Sequence, residues 1–369
     1  MSSNTSSSAA GAPFAHDELA TARGIGIVLV VVGHIPYPIL GTFDIYHFHM
    51  PAFFMLAGMG LRPDRGVAET LVFHLKSFLL YAAAMCFVYT VIGRTIGAVT
   101  GLQLVSFDGW SLRHFTVDMW TETCHHVRLF SVGWFILALG IARPLATFAV
   151  KAVQALPWWS RKPLLLGFGL GSGYFGMVHM STWAIRTGHS IYNSLTQVPI
   201  ALEFLILGYL VATTPLARAT IRWPVTALGG FTALLLFLGN GSIRVPSMAW
   251  SQYPSGFAPH TITAGMGTLV MLYASCVLVR VTKNRVLPFL GKHSKSIMAH
   301  HLFVFLLVNL GFSMLGKLEL AKVEVYAVYE CRWTWPLYLG LGIGLPSLAA
   351  ATWHGLALGQ RVRSLVRRA

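Results

Sequence analysis

The chain carries ten apolar runs, each close to the roughly 20 residues that a helix needs to cross a bilayer. They lie near 22–40, 45–61, 71–92, 129–150, 163–181, 196–214, 224–240, 260–281, 297–316 and 334–357. A membrane β-barrel would instead show ten-residue segments of alternating polarity, and the chain has none. Composition agrees: of 369 residues, 55% are hydrophobic and only 11% charged, against about 25% charged in soluble domains. The expected fold is an all-α polytopic membrane protein of about ten transmembrane helices.

The net charge of +15 would point to nucleic acid in a soluble protein. Here the cations sit in short loops between apolar runs, so membrane lipids are expected as partners and nucleic acid is not. Loops after even-numbered runs hold Arg62, Arg65, Lys151, Arg161, Lys162, Arg218, Arg222, Lys283, Arg285, Lys292 and Lys295. The opposite loops hold most of the acids, among them Asp44, Asp108, Asp118, Glu122 and Glu324. The positive-inside rule then predicts that both termini are cytoplasmic. Residues 1–16 are small and polar and read as a disordered cytoplasmic tail, without the cationic start of a secretory signal. Residues 17–369 read as one integral-membrane domain, with a long outside segment near 93–128 that is functional or part-helical. Paired interrupted segments of the kind seen in inverted-repeat transporters are not evident. Cys86 and Cys276 fall in apolar runs as packing residues. Cys124 and Cys331 fall in polar loops, where a disulfide between them is open.

The first run opens on Arg23 and carries His34 eleven residues later. At about 100° per residue the two share a helix face, about 16 Å apart along the axis. Arginines at helix ends snorkel to the interface, whereas a histidine inside the membrane usually marks function. The second run begins IYHFHMPAFFMLAGMGL, with His47 and His49 ahead of Pro51. Small residues such as Gly58 and Gly60 allow close helix approach, which predicts that helices one and two pack with His34 near His49. Neutral imidazole there is a general base.

Taken in order, the motifs resemble the membrane-bound acyltransferase-3 family, nearest to its sugar O-acetyltransferase branch, which includes enzymes of exopolysaccharide decoration. The resemblance rests on Arg-x10-His over 23–34 and on FHMPAFFMLAG over 48–58. It extends to WFI at 134–136, FLILGYL at 204–210 and PFLGKHSKSIMAHH at 288–301. Three positions depart from the family pattern: Ala57 stands where serine is common, Met298 where tyrosine is usual, and Phe73 at the first position of an arginine pair that Lys76 completes.

The resemblance implies a reaction and a site. An acetyl group would pass from cytoplasmic acetyl-CoA, the acyl donor and co-substrate, to a hydroxyl of a glycan facing outward. The acceptor would be an exopolysaccharide, its lipid-linked repeat unit or another surface glycan such as O-antigen, with exopolysaccharide assembly proteins as possible partners. The bacterial inner membrane is the implied setting. Arg23, Arg62, Arg65 and Lys76 would meet the phosphates of CoA. His34 would be the general base, or alternatively would carry the acyl group itself. His49, His301 and the indole N–H of Trp134 would stabilise the oxyanion. Asp44, Tyr46 and Tyr37 lie at the outer mouth for acceptor contact. Glu203, in the sixth run, would orient a histidine, neutralise an arginine or touch substrate, or else be a structural pair. His300 faces away from His301 and reads as structural. Glu122, His125 and His126 suggest acceptor binding or a solvated loop more than a metal set, and no metal is expected. Trp110, Trp120, Trp183 and Trp250 read as outer interfacial anchors, one or two of which would stack on sugar. A succinyltransferase is the nearest variant reading. A proton-coupled transporter is the rival class, and a structural subunit the third. The chain ends soon after the tenth run without an esterase-like domain, so transfer would be completed alone or handed to a separate protein.

Overall fold

The computed structural model describes residues 14–40, 44–183, 191–215, 221, 223–239, 241 and 243–366. Among these residues it is all-α, with no strand and two isolated β-bridges. Twelve helices follow in order. They are α1 (His16–Gly33), α2 (His49–Met59), α3 (Val67–Thr100), α4 (Leu112–Thr121), α5 (Gly133–Gln154) and α6 (Trp158–Tyr174). Then come α7 (Ile191–Thr213), α8 (Pro224–Gly239), α9 (Phe257–Val281), α10 (Val286–Lys292), α11 (Ser294–Met314) and α12 (Cys331–Val366). Each of the ten apolar runs is a helix. Five, α3, α5, α7 from Asn193, α9 and α11, are long and apolar enough to cross a membrane by themselves. The protein is an all-α polytopic membrane protein.

Helix ends differ from the sequence expectation for physical reasons. Helix α1 begins at His16, because Glu18 Oε2 accepts from the N–H of Ala15 at 2.9 Å and closes the first turn. It stops at Gly33, ahead of Pro36 and Pro38, which cannot continue the hydrogen-bond ladder. Most of the expected tail, 1–13, lies outside the described residues, as do Arg218 and Arg222. A π turn interrupts α3 at Leu75–Leu79, and another, Phe175–Met180, prolongs α6. The long segment near 93–128 is part-helical: α4 sits in it, and Val105 bridges Val127 beneath.

Helix α1 is the hub, packed against α2, α9, α10, α11 and α12. Glycines bring backbones together at its side. A Cβ on Gly24 would stand 2.1 Å from the carbonyl oxygen of Leu287, and one on Gly291 would stand 1.9 Å from that of Ala20, so α1 and α10 touch backbone to backbone. The expectation for Gly58 needs correcting. Its missing Cβ faces the Leu205 carbonyl of α7 at 2.0 Å, and Gly208 of α7 faces the Met55 carbonyl at 2.0 Å in return. Helices α1 and α2 do pack, but through Gly26 on the ring of Phe53. Cys86 and Cys276 are buried packing residues, as expected, and the open question of a Cys124–Cys331 disulfide is answered in the negative. Cys124 lies 3.5 Å from Cys86, sulfur to sulfur, while the Cys331 thiol donates to the Ala327 carbonyl at 3.1 Å; none of the four is in a disulfide.

Candidate active site

Three cavities follow the length of α1. The first, about 270 Å³, is lined by His34, Tyr46, His49, His125, Trp134, Trp250 and Tyr326, among others. The second, about 690 Å³, is lined by Arg23, Phe53, Phe78, Phe135, Arg143, Lys292 and Lys295. The third, about 360 Å³, is lined by Arg23, Arg62, Arg65, His74 and Arg143. Met298 lines both the first and the second, and His16, Arg23 and Arg143 line both the second and the third. A histidine cavity and a pair of cationic cavities are thus consecutive, with the thioether of Met298 at the partition.

The histidine cavity is held by short-range geometry. His34 caps α1, and its Nδ1 lies 2.8 Å from the carbonyl of Val30. A carbonyl only accepts, so the ring proton is on Nδ1. The same N–H faces Nε2 of His301 at 3.4 Å. His301 Nδ1 in turn donates to the carbonyls of Ile297 and Met298 at 3.0 Å, which leaves its Nε2 as the acceptor. The chain Ile297/Met298–His301–His34 therefore fixes both tautomers, and Nε2 of His34 keeps its lone pair. Tyr326 stacks on the His34 ring, with centroids 5.9 Å apart and planes within 11°. Fully buried His49 likewise donates from Nδ1 to Ile45, at 2.8 Å, beside the edge of Tyr46.

Tyr326 has no sequence signal. It arrives on the α11–α12 connection, whose Val323, Val325 and Ala327 are buried alternately. Buried Asn309 donates to the carbonyls of Glu324 (2.8 Å) and Tyr326 (2.7 Å) and so clamps that segment over α1. Tyr46 donates to the Gly33 carbonyl at 2.7 Å, and Asp44 caps the turn Ile45–His47 by accepting from the Tyr46 N–H at 2.9 Å. Tyr37, Asp44 and Tyr46 line a further groove of about 290 Å³ beyond the end of α1.

The cationic cavities draw their lysines and arginines from four helices, α1, α5, α10 and α11, and from the loop that carries Arg62 and Arg65. Arg143 donates to the Gly60 carbonyl at 3.0 Å, and an added Cβ at Gly60 would have the guanidinium groups of Arg143 and Arg23 within 3.6 and 4.0 Å. Among the described residues neither arginine has a carboxylate partner, while Arg65 meets Glu69 at 3.5 Å. Two like charges converging without a counter-ion form a site for an anion. Sequence reasoning missed Arg143, although an arginine inside an apolar run is itself a signal. Lys295, also missed, sits over the Tyr81 ring at 3.5 Å and lines the second cavity. Lys76 is exposed on the π turn of α3 and lines none of the three.

Other expected positions fall elsewhere. Glu203 is fully buried between α6 and α9, accepts from Thr261 Oγ1 at 2.9 Å, and lines none of the three cavities; its second oxygen lies against Gly173. His300 bonds the Tyr89 hydroxyl on the far side of α11. Among the described residues no three His, Cys, Asp or Glu side chains form a metal-ligand set, the group Glu122, His125 and His126 included. Of the outer tryptophans named from sequence, Trp250 lines the histidine cavity, whereas Trp110 is covered by Arg94 at 5.1 Å. Outside the membrane-spanning segments, burial pulls the imidazoles of His125 and His126 down to about 4.

The polytopic bundle thus holds a histidine cavity and a cationic cavity that share a wall at Met298. The chain belongs to the acyltransferase-3 family: that family's profile, described as an acyltransferase domain, matches residues 16–351 of the 369. It is a membrane acyltransferase. No curated protein and no solved structure matches the chain.

Proposed function

We propose that the protein moves an acetyl group from acetyl-CoA to a hydroxyl of a cell-surface sugar, an exopolysaccharide or its lipid-linked repeat unit, at a bacterial inner membrane. The observation that carries this reading is the fixed tautomer of His34. Its Nδ1–H is engaged by Val30 and His301, so Nε2 is free to take a proton. Both termini and the arginine cavities face the cytoplasm in this account. The phosphates of CoA meet Arg23, Arg143, Arg62 and Arg65, and the pantetheine arm runs along the 690 Å³ cavity past Met298.

In the reaction, the sugar hydroxyl gives its proton to His34 Nε2 while its oxygen attacks the thioester carbonyl. The carbonyl electron pair becomes an oxyanion. As it collapses, the carbon–sulfur bond breaks, and the CoA thiolate takes the proton back from Nε2–H. Ester and free CoA result. The imidazolium that forms in between is stabilised by the Val30 carbonyl and His301 Nε2, which makes His301 a positioning residue. The oxyanion needs donors. His49 and His301 both spend their N–H on backbone carbonyls, so the indole of Trp134 and the hydroxyl of Tyr326 take that role. Direct transfer needs no acyl-enzyme.

The test is label transfer. Membranes containing the protein are given acetyl-CoA labelled in the acetyl group, with crude surface glycan as acceptor. Hydroxylamine-labile label in the glycan is the expected result, and succinyl-CoA serves as the alternative donor. Absence of label from either donor, together with uptake of sugar into vesicles lacking donor, would overturn the reading in favour of a transporter.

A further inference from the structure

The histidine cavity has an outer wall that the reaction above does not use. There the Trp250 and His125 rings lie 4.1 Å apart at a 40° tilt. Trp250 is 54% exposed, whereas His49 in the same cavity is 2% exposed, so the cavity runs from a buried histidine floor to an aromatic mouth. An indole left half in water gains little from burial, yet its backbone is held firmly. Gln197, from helix α7, donates to the carbonyls of Ala249 (3.0 Å) and Met248 (3.3 Å). Ser247 and Gln252 exchange backbone hydrogen bonds at 2.8 and 3.0 Å, and buried Ser251 takes a left-handed φ of 53° to close the loop. His125 is held likewise: Thr123 and Cys124 have φ of 47° and 65°, and the Thr123 hydroxyl meets its Nδ1 at 2.7 Å. Non-glycine residues in this region are uncommon, and they cluster where geometry serves a ligand.

The lining also says what kind of ligand fits. Ser131 and Ser247 supply hydroxyls, and among the described residues the walls carry no carboxylate, lysine or arginine. The 270 Å³ volume is near the lower limit of small-molecule sites, about 300 Å³. That suits one ring of a larger molecule, the rest remaining outside. A pyranose has an apolar face of C–H bonds and a rim of hydroxyls. A rigid indole matches the first, and serines and imidazoles match the second.

We propose that Trp250, backed by His125, is a stacking platform for one neutral pyranose ring of the acceptor and sets which hydroxyl reaches His34. The proposal rests on the acyl-transfer reading for the hydroxyl's fate, but the sugar contact is testable without any donor. Saturation-transfer NMR is run on the protein in lipid nanodiscs free of sugar detergent. The probes are the methyl pyranosides of glucose, galactose and mannose, with methyl glucuronate as the anionic comparison. At least one neutral pyranoside should receive saturation at its ring C–H protons, several-fold more than the glucuronate. Trp250→Ala should cut that transfer at least threefold, and Trp250→Phe should keep most of it, which separates stacking from misfolding. No transfer from the wild type to any neutral pyranoside overturns the platform. So does transfer that Trp250→Ala leaves intact, or glucuronate equalling the neutral sugars. Acetyl-CoA binding to the wild type is measured in parallel. Its absence would sink the donor reading while the sugar result stood by itself.

Discussion

At the residue scale, the account turns on which nitrogen holds a proton. His34→Ala removes the base and should lower kcat by about 10²- to 10⁴-fold, while donor binding, measured by calorimetry, persists. Trp134→Phe should cost about 10²-fold in kcat if the indole donates to the oxyanion; an unchanged kcat would reassign that donor. Arg143→Ala removes one proposed partner of the donor phosphates and should raise the KM for acetyl-CoA about tenfold with a smaller effect on kcat. Sequence spacing alone placed Arg23 and His34 on one face of one helix at opposite depths, because they stand eleven residues apart. It could not locate Tyr326 or assign tautomers. Those depend on a connection far along the chain and on backbone carbonyls such as Val30 and Ile297. Nor could it show that Glu203 pairs with Thr261 and lies apart from the histidines.

At the element scale, glycine pairs decide how closely helices meet. Gly58 and Gly208 leave no room for a Cβ between α2 and α7. Gly208→Val must push backbone apart, at a cost of about 1–3 kcal/mol or more, read as a lower thermal midpoint and smaller folded yield in detergent. A wild-type midpoint in this variant would refute the close packing. The segment that carries His125 and His126, here called the cap, has its own pH response. Burial holds His125 and His126 at about 4 in the folded chain, against about 6.5 when unfolded. Between those values the unfolded state binds more protons. The cap's contribution is therefore complete above pH 6.5 and is lost as pH falls toward 4, a trend that hydrogen exchange over 104–130 would report. Helix existence was legible from run length. Helix partners were not, because Gly58 reads the same whether it faces α1 or α7. The short helix α10 was hidden in a loop of mixed polarity.

At the scale of the whole molecule, the bundle separates charge from chemistry. Arginines gather around two cavities and histidines around a third, all along α1, with Met298 between. This division was foreshadowed by the spacing of Arg23 and His34, and the fold adds Arg143, Lys295 and Tyr326 from other helices and connections. In the proposed reaction the donor's charge and the acceptor's hydroxyl lie on opposite sides of that partition, so that neither substrate need cross. The measurement that tests this most directly compares glycan-dependent release of free CoA from acetyl-CoA by the purified wild type and by a folded His34→Ala variant. The account predicts release that requires glycan and falls at least a hundredfold in the variant. Release that continues unabated without His34 would contradict it.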